Sequence, residues 1–508
     1  MDMADLQPSG NGIAEAPADD DGNGATAADA KESSPLILPS STSKPSGYST
    51  NYTSSTTANA NAPSSRNSFR PLSKNRHWKN LFGLATAFMF TFTAYGSLQN
   101  LQSSLNYDHG LGLASLSVIY GCLTVSCLIA PVIIRCIGTK WTIAVSLACY
   151  MFYTAANFYP EFYTLIPTAA LLGFAAGPLW AAQGTYLTTL AISLADVVND
   201  VPETVINQFN GIFFLFFQSN QIWGNLLSSV IFSVNTTRER YLNQTDLWKC
   251  GVNGTGTEGM NYDDPGDKKT NLLLTFYLFF GLLGAAIAAV FMDRIRSNFV
   301  RLPETKYLAN HLLEVVRLMK TPYISLLIPL MIYSGFEQAY MAGDFTKSFV
   351  SCTIGIRRVG YVMIVYGVTD AISSFVIGRV EVHIGRKLIF TAGGFVNLLV
   401  ILWMLLWRAK EGVNQGYQLY LMAVGWGFAD AVWQTQISSI LGVLMPQSQE
   451  AAFANFRFWQ AIGFLVSFGV SVSNSVLVLY KLFALLGLLV ISMILYYIVE
   501  CVIRREGM

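Results

Sequence analysis

The sequence predicts an all-α membrane protein with about twelve transmembrane helices, on three observations. Of 508 residues, 52% are hydrophobic and only 12% are charged, where a water-soluble domain carries about 25% charged residues. The apolar residues gather into runs of roughly 20, the length that crosses a bilayer as a helix. The runs lack two-residue alternation and are too long for the strands of a membrane barrel. The net charge of +1 leaves no electrostatic footprint for nucleic acid, so the lipid bilayer is the partner that composition demands.

Residues 1–73 read differently. They are rich in Ser, Thr, Ala, Asn, Asp and Pro and cannot bury enough apolar surface to offset their ordering entropy, so a disordered cytosolic tail is expected. The tail lacks a basic segment followed by an apolar one, so it is not a signal peptide. Glu32-Ser33-Ser34-Pro35-Leu36-Ile37 fits an acidic dileucine pattern. Such a pattern resembles the endolysosomal sorting signal read by clathrin adaptors, an address and not an anchor.

The expected spans of the N-terminal half are Asn80–Leu101, Ala114–Ile134, Trp141–Phe158, Leu165–Ile192, Asn207–Ser233 and Asn271–Met292. Those of the C-terminal half are Tyr323–Gly343, Val359–Gly378, Leu388–Trp407, Leu419–Val443, Phe456–Ser473 and Leu482–Ile498. The expected organisation is therefore a six-helix bundle over 74–292 with a loop at 234–270, a cytosolic linker at 293–322, a second bundle over 323–499 and a cytosolic C-terminus at 500–508. Basic residues before the first span, after the second and in the linker put both termini inside, with a moderate bias. Three glycosylation sequons, at Asn235, Asn243 and Asn253, then fall outside, which makes a glycoprotein the expectation. Cys250 and Cys352 fall on that same side, where an oxidising compartment permits a bridge. Separately buried thiols are the alternative. No cysteine–histidine cluster and no other ligand set suggests a metal or cofactor. The four histidines are expected as ordinary loop or interface residues.

The two halves echo each other. Tyr120-Gly121 is followed by Gly138-Thr139-Lys140, and Tyr366-Gly367 by Gly385-Arg386-Lys387. Gly173-Phe174-Ala175 with Trp180 and Gln183 matches Gly427-Phe428-Ala429 with Trp433 and Gln436. Phe216-Phe217-Gln218 matches Phe458-Trp459-Gln460. Parallel six-helix pseudo-repeats of this kind describe the major facilitator fold. Gly378, Gly385, Arg386 and Lys387 resemble that superfamily's cytosolic gate motif, Gly-x-x-x-Asp-x-x-Gly-Arg-Lys, but the acid is displaced to Glu381 and Val382 stands in its usual place. In the N-terminal half Arg135 occupies that place. The motif's acid latches the two halves of transporters as they rock, so an ordinary transport cycle is not expected of this chain.

Several stretches resemble the Unc-93-like (uncoordinated-93) family. They include Gly335-Phe336-Glu337-Gln338-Ala339, Gly343-Asp344-Phe345-Thr346, Phe428-Ala429-Asp430-Ala431-Val432-Trp433-Gln434-Thr435-Gln436 and Asn455-Phe456-Arg457-Phe458-Trp459-Gln460. Gly177-Pro178-Leu179-Trp180 and the run from Phe213 to Asn225 belong with them. The resemblance covers roughly residues 75–500. It implies a twelve-span, major-facilitator-like protein. It also implies either a regulatory subunit of a potassium-channel complex or an escort that carries receptors to endosomes. Family membership fixes fold more firmly than function.

Ionisable groups inside lipid are costly and face a bundle interior or a cavity. Here they are Glu337, Asp370, Asp430 and Arg457, all in the C-terminal half. The N-terminal half offers neutral groups instead, among them Gln183 and Gln218. One reading makes these residues the lining of a cavity that responds to protons or cations. The other pairs Asp430 with Arg457 and hydrogen-bonds Glu337 and Asp370 inside the bundle. No phosphate-binding loop, His-Glu-x-x-His or Gly-x-Ser-x-Gly elbow suggests catalysis, so the expected protein is not an enzyme. The sequence points first to a regulator of potassium channel activity and ion homeostasis, in the plasma membrane or alternatively an endosomal or lysosomal one. A proton- or cation-coupled transporter of a small organic solute comes second and a trafficking escort third.

Overall fold

The computed structural model describes residues 72–106, 110–233, 247–254, 266–295, 314–410, 416–445, 448–472 and 476–506. Glu32, Leu36, Ile37, Asn235 and Asn243 lie outside the described residues.

The first half holds α1 (Lys74–Leu105), α2 (Leu111–Ile137), α3 (Thr139–Ala156), α4 (Phe162–Val198), α5 (Pro202–Gln218), α6 (Asn220–Ser233) and α7 (Asp267–Phe291). The second half begins with α8 (Pro322–Tyr340), which widens into π turns over Met341–Ser351 and closes with an α turn at Cys352–Ile354. It continues with α9 (Ile356–Ile384), α10 (Arg386–Leu406), α11 (Gly416–Leu444), α12 (Gln449–Val472) and α13 (Val478–Glu506). Proline opens α5 and α8, where its fixed φ suits the first turn and no N–H is missed.

Among these helices α1, α2, α4, α7, α9, α10 and α13 are long and apolar enough to cross a membrane. Helices α8, α11 and α12, which bury Glu337, Asp430 and Arg457, are not among them. Their polar side chains face the bundle interior, where lipid does not reject them.

The echo between the halves reappears as geometry. Gly138 joins α2 to α3 at φ 82° and ψ 155°, and Gly385 joins α9 to α10 at φ 80° and ψ 149°. A side chain is strained at positive φ, so both tight turns select glycine. Packing is reciprocal as well. Helix α2 lies against α4 and α12, and α9 lies against α11 and α5. Each half therefore lends a helix to the other.

Three segments depart from the sequence reading. The fifth expected span is broken at Ser219. There the Ser219 hydroxyl takes the Phe216 carbonyl at 2.6 Å and the Asn220 amide takes that of Phe217. Side chains that capture carbonyls in this way compete with the helical ladder. The last helix runs to Glu506, past the expected end at Ile498, because Glu500 accepts hydrogen bonds from Tyr496 at 2.9 Å and Arg386 at 2.8 Å. His77, read as a loop or interface residue, is fully buried, with its ring nitrogens 3.0 Å from the Ser73 carbonyl and 3.0 Å from the Ser193 hydroxyl.

Asp293, just past α7, ties the ends of three elements. Its carboxylate receives Lys79 at 2.8 Å and Asn80 at 3.3 Å, its N–H donates to Asn80 at 2.8 Å, and its carbonyl accepts Tyr186 at 3.0 Å. Burial alone would push the carboxyl up, but Lys79, Asn80 and Arg76 more than offset it and hold it below its ordinary value near 3.8. A depressed carboxyl stabilises the fold above its unfolded value and loses that contribution as pH falls through the folded one. Thermal stability is therefore expected to fall as pH drops below about 3.8. Asp293→Asn should flatten part of that step and cost at most about 1 kcal/mol at neutral pH, the group being partly exposed. An acid step of unchanged size in the variant would assign it to other carboxylates.

Candidate functional site

Two ends and a middle define the site. At the end that carries the Gly138 and Gly385 turns, each half sends an arginine to a carboxylate of the other. Arg135, in the last turn of α2, meets Glu450 at the start of α12 at 2.9 Å and Glu314 at 3.2 Å. Arg386, opening α10, meets Glu203 at the start of α5 at 3.6 Å and Glu500 at 2.8 Å. Carboxylates in a first helical turn also meet the positive end of the helix dipole. Glu381 is buried and accepts Gln436 at 2.9 Å. The cross-half ion pair thus belongs to Arg386, while the displaced acid reaches the first half through Asn207. Gly378 packs against Gly211 with so little room that a Cβ at Gly378 would lie 2.7 Å from the Asn207 carbonyl.

At the opposite end Cys250 and Cys352 are joined, with their Cα atoms 5.7 Å apart. The short segment around Cys250 packs beneath Trp407 and Phe349, and Gly254 accepts the Val478 N–H at 3.2 Å. Asn253 donates to the Trp248 carbonyl at 3.2 Å. The bridge closes a span of 102 residues, for which loop entropy alone gives up to about 4.7 kcal/mol. Helices already in a membrane are less free than an unfolded chain in water, so Cys250→Ser is expected to lower thermal stability by about 2–4 kcal/mol, and reductant should do the same to the wild type. A change under about 0.5 kcal/mol in both would show that the bridge constrains nothing.

Between the ends lies a cavity of about 110 Å³ lined from both halves. The N-terminal half supplies aromatic walls, including Phe92, Tyr120, Tyr150, Trp180 and Phe217, and the amides of Gln99, Asn100, Gln218, Asn220 and Gln221. These rings interlock, with Trp180 5.2 Å from both Phe92 and Phe217. The C-terminal half supplies Asp430, Arg457, Tyr366, Gln338, Gln434 and Gln460. Of the sequence candidates, then, Gln218, Asp430 and Arg457 line the cavity. Gln183 is buried outside the lining, as are Glu337 and Asp370. Those two acids stand behind Asp430 and interact with it electrostatically.

The pairing of Asp430 with Arg457 does not form. Asp430 accepts the Tyr366 hydroxyl and Gln434 at 3.4 Å. Arg457 stacks 4.3 Å over Trp180 and donates to Gln460. Ser374 donates to Asp370 at 3.1 Å, while the Glu337 carboxyl stands against Asp430 and the Trp426 ring. Sequence reading missed Ser334, whose hydroxyl accepts Gln434 at 3.3 Å and Gln460 at 3.1 Å and so ties α8 to α11 and α12. It also missed a buried ion pair near the disulfide end. Lys481 donates to Asp344 at 2.6 Å and to Ser471 at 2.9 Å, and Ser471 donates to Asp344 at 3.0 Å.

Interlocked helical halves around a central polar cavity define a multi-pass membrane protein of major facilitator type. The structure superposes on the human organic anion transporter MFSD10 with a TM-score of 0.58 at 12% identity, covering 82% of this chain and 99% of that one. For the major facilitator superfamily transporter FucP in its outward conformation the TM-score is 0.56 at 13% identity, over 84% of this chain and 99% of that one. Identities this low speak for the fold alone. The family model described as "Ion channel regulatory protein UNC-93" matches residues 105–498. Protein unc-93 homolog A of Xenopus laevis is 42% identical over 435 residues, 83% of this chain and 93% of its own length. The "Putative potassium channel regulatory protein unc-93" of Caenorhabditis elegans is 32% identical over 411 residues, 78% of this chain and 57% of its own length. The chain belongs to the UNC-93 family.

Proposed function

We propose that this protein is a non-enzymatic regulator of potassium channel activity, seated in the plasma membrane with both termini cytosolic. The observation that carries this reading is the match of residues 105–498 to a family described as ion channel regulatory. The reciprocal arginine contacts support it. The halves are clasped through Arg135–Glu450 and Arg386–Glu203, and a partner that binds the clasped arrangement better than one with these pairs parted would favour it. The cluster of Arg135, Lys140, Arg386 and Lys387 at the clasped end supports a cytosolic position for that end, with the bridged Cys250 and Cys352 on the oxidising side. Purification of the full chain from cells is expected to recover a potassium channel subunit, and deletion is expected to change whole-cell potassium current. Unchanged current together with no channel in the purified material would sink the reading.

The second reading, proton- or cation-coupled transport of a small organic solute, draws on one observation. The cavity carries the ionisable Asp430 with Glu337 and Asp370 behind it. Purified protein in liposomes would then move solute under an imposed proton or sodium gradient, and Asp430→Asn would stop it. Flux indifferent to both gradients and to Asp430→Asn would count against coupling.

A further inference from the structure

Arg457 is a buried cation that forms no ion pair among the described residues, although Asp430 in the same lining interacts with it electrostatically. It lines the cavity and is 7% exposed. Its guanidinium carries five N–H donors in a planar fork. Among the described residues only the Gln460 side-chain oxygen receives one of them, and the fully buried Nε has no acceptor. Arg457 enters none of the ion pairs formed among the described residues. Its neighbours are the Trp180 face at 4.3 Å and the Phe456 face at 4.5 Å. Aromatic faces hold and orient a guanidinium but leave its charge and its in-plane donors unmatched. Taking a charge out of water without a counter-ion in direct contact costs several kcal/mol. A guanidinium kept this way at the wall of a cavity has a donor left for an acceptor from outside the chain.

The rest of the lining specifies what could fill it. Among the described residues the one other charge-bearing lining residue is Asp430, which hydrogen-bonds Tyr366 and Gln434 and acts on Arg457 only through space. Tyr120 and Phe464, stacked in parallel with ring centres 4.1 Å apart, add a flat wall to that of Trp180. The volume, about 110 Å³, is below the roughly 150 Å³ of an engineered cavity that admits benzene. A body shorter than a benzene ring, a chain of two or three carbons, is therefore the upper limit.

We propose that the cavity binds a small organic monocarboxylate, with the carboxylate held by the Arg457 fork and a short body laid against the Trp180 and Phe464 rings. Arg457 pairs with a carboxylate through two parallel N–H donors, which a neutral amide cannot reproduce. The proposal goes beyond channel regulation and needs no channel to be tested.

The test is calorimetric titration of the purified full chain in lipid nanodiscs with acetate and propionate, each against its neutral amide, acetamide and propionamide. At least one carboxylate is expected to bind ten-fold or more tightly than its amide. Arg457→Gln should bring that ratio within two-fold of unity, and Arg457→Lys should keep part of it. Trp180→Leu should weaken carboxylate and amide alike and leave the ratio intact, which keeps the test open if Arg457→Gln does not fold. The proposal is overturned if neither carboxylate outbinds its amide, if the preference survives in Arg457→Gln, or if Trp180→Leu alone abolishes the preference.

Discussion

Asp344→Asn is expected to destabilise the protein by about 3–5 kcal/mol, the cost of leaving a buried charge without its partner. Asp344 and Lys481 are both more than nine-tenths buried and their polar atoms lie 2.6 Å apart. Lys347, three residues after Asp344 in the π segment, is buried too and feels the same carboxylate. Removing the acid therefore strands two ammonium groups, while Lys481→Met removes one and leaves the acid facing Lys347. The expected order of thermal stability is wild type, then Lys481→Met, then Asp344→Asn. The double variant Asp344→Asn/Lys481→Met should regain part of the loss, because only Lys347 then remains unmatched. Unfolding of each variant, followed by tryptophan fluorescence in one detergent, gives the comparison. Equal stability of Asp344→Asn and wild type would mean that the pair is solvated and contributes nothing.

The Asp344–Lys481 pair also shows what a sequence withholds. Span positions follow from apolar runs, and the paired glycines Gly138 and Gly385 follow from repetition, because both signals lie along the chain. Asp430 and Arg457 stood out as charges inside apolar runs, and both reach the cavity. Lys481 abuts the last expected span and reads as an interfacial lysine. Nothing near it in sequence announces an aspartate 137 residues earlier. The same holds for Arg135 and Glu450, which are 315 residues apart. Gln183 shows the opposite failure. It matched Gln436 in the repeat, and neither lines the cavity: Gln436 donates to Glu381 instead. The break at Ser219 turns on single side-chain captures of carbonyls, too local for apolar periodicity to register.

Gly335→Leu is expected to cost about 3 kcal/mol or more, at the upper end of what overpacking does in a close-packed interior. A Cβ on Gly335 would sit 1.9 Å from the carbonyl oxygen of Gln460, and one on Gly463 would sit 2.2 Å from that of Ile332. The obstacle in both cases is backbone, which cannot swing aside as the tip of a side chain can. Helices α8 and α12 approach this closely because small residues face each other, the arrangement that lets membrane helices gain contact where no hydrophobic force separates them from lipid. The loss should therefore be graded, with Gly335→Ala already measurable and Gly335→Leu severe. Gly335 stands beside Ser334, which holds Gln460, and α12 carries Arg457, so forcing the helices apart must also move the cavity wall. A folded fraction of Gly335→Ala recovered at low temperature is expected to show altered tryptophan fluorescence, since Arg457 would shift relative to Trp180. If Gly335→Ala matches wild type in stability and spectrum, α8 and α12 are not in backbone contact, and the route from that crossing to the cavity is wrong.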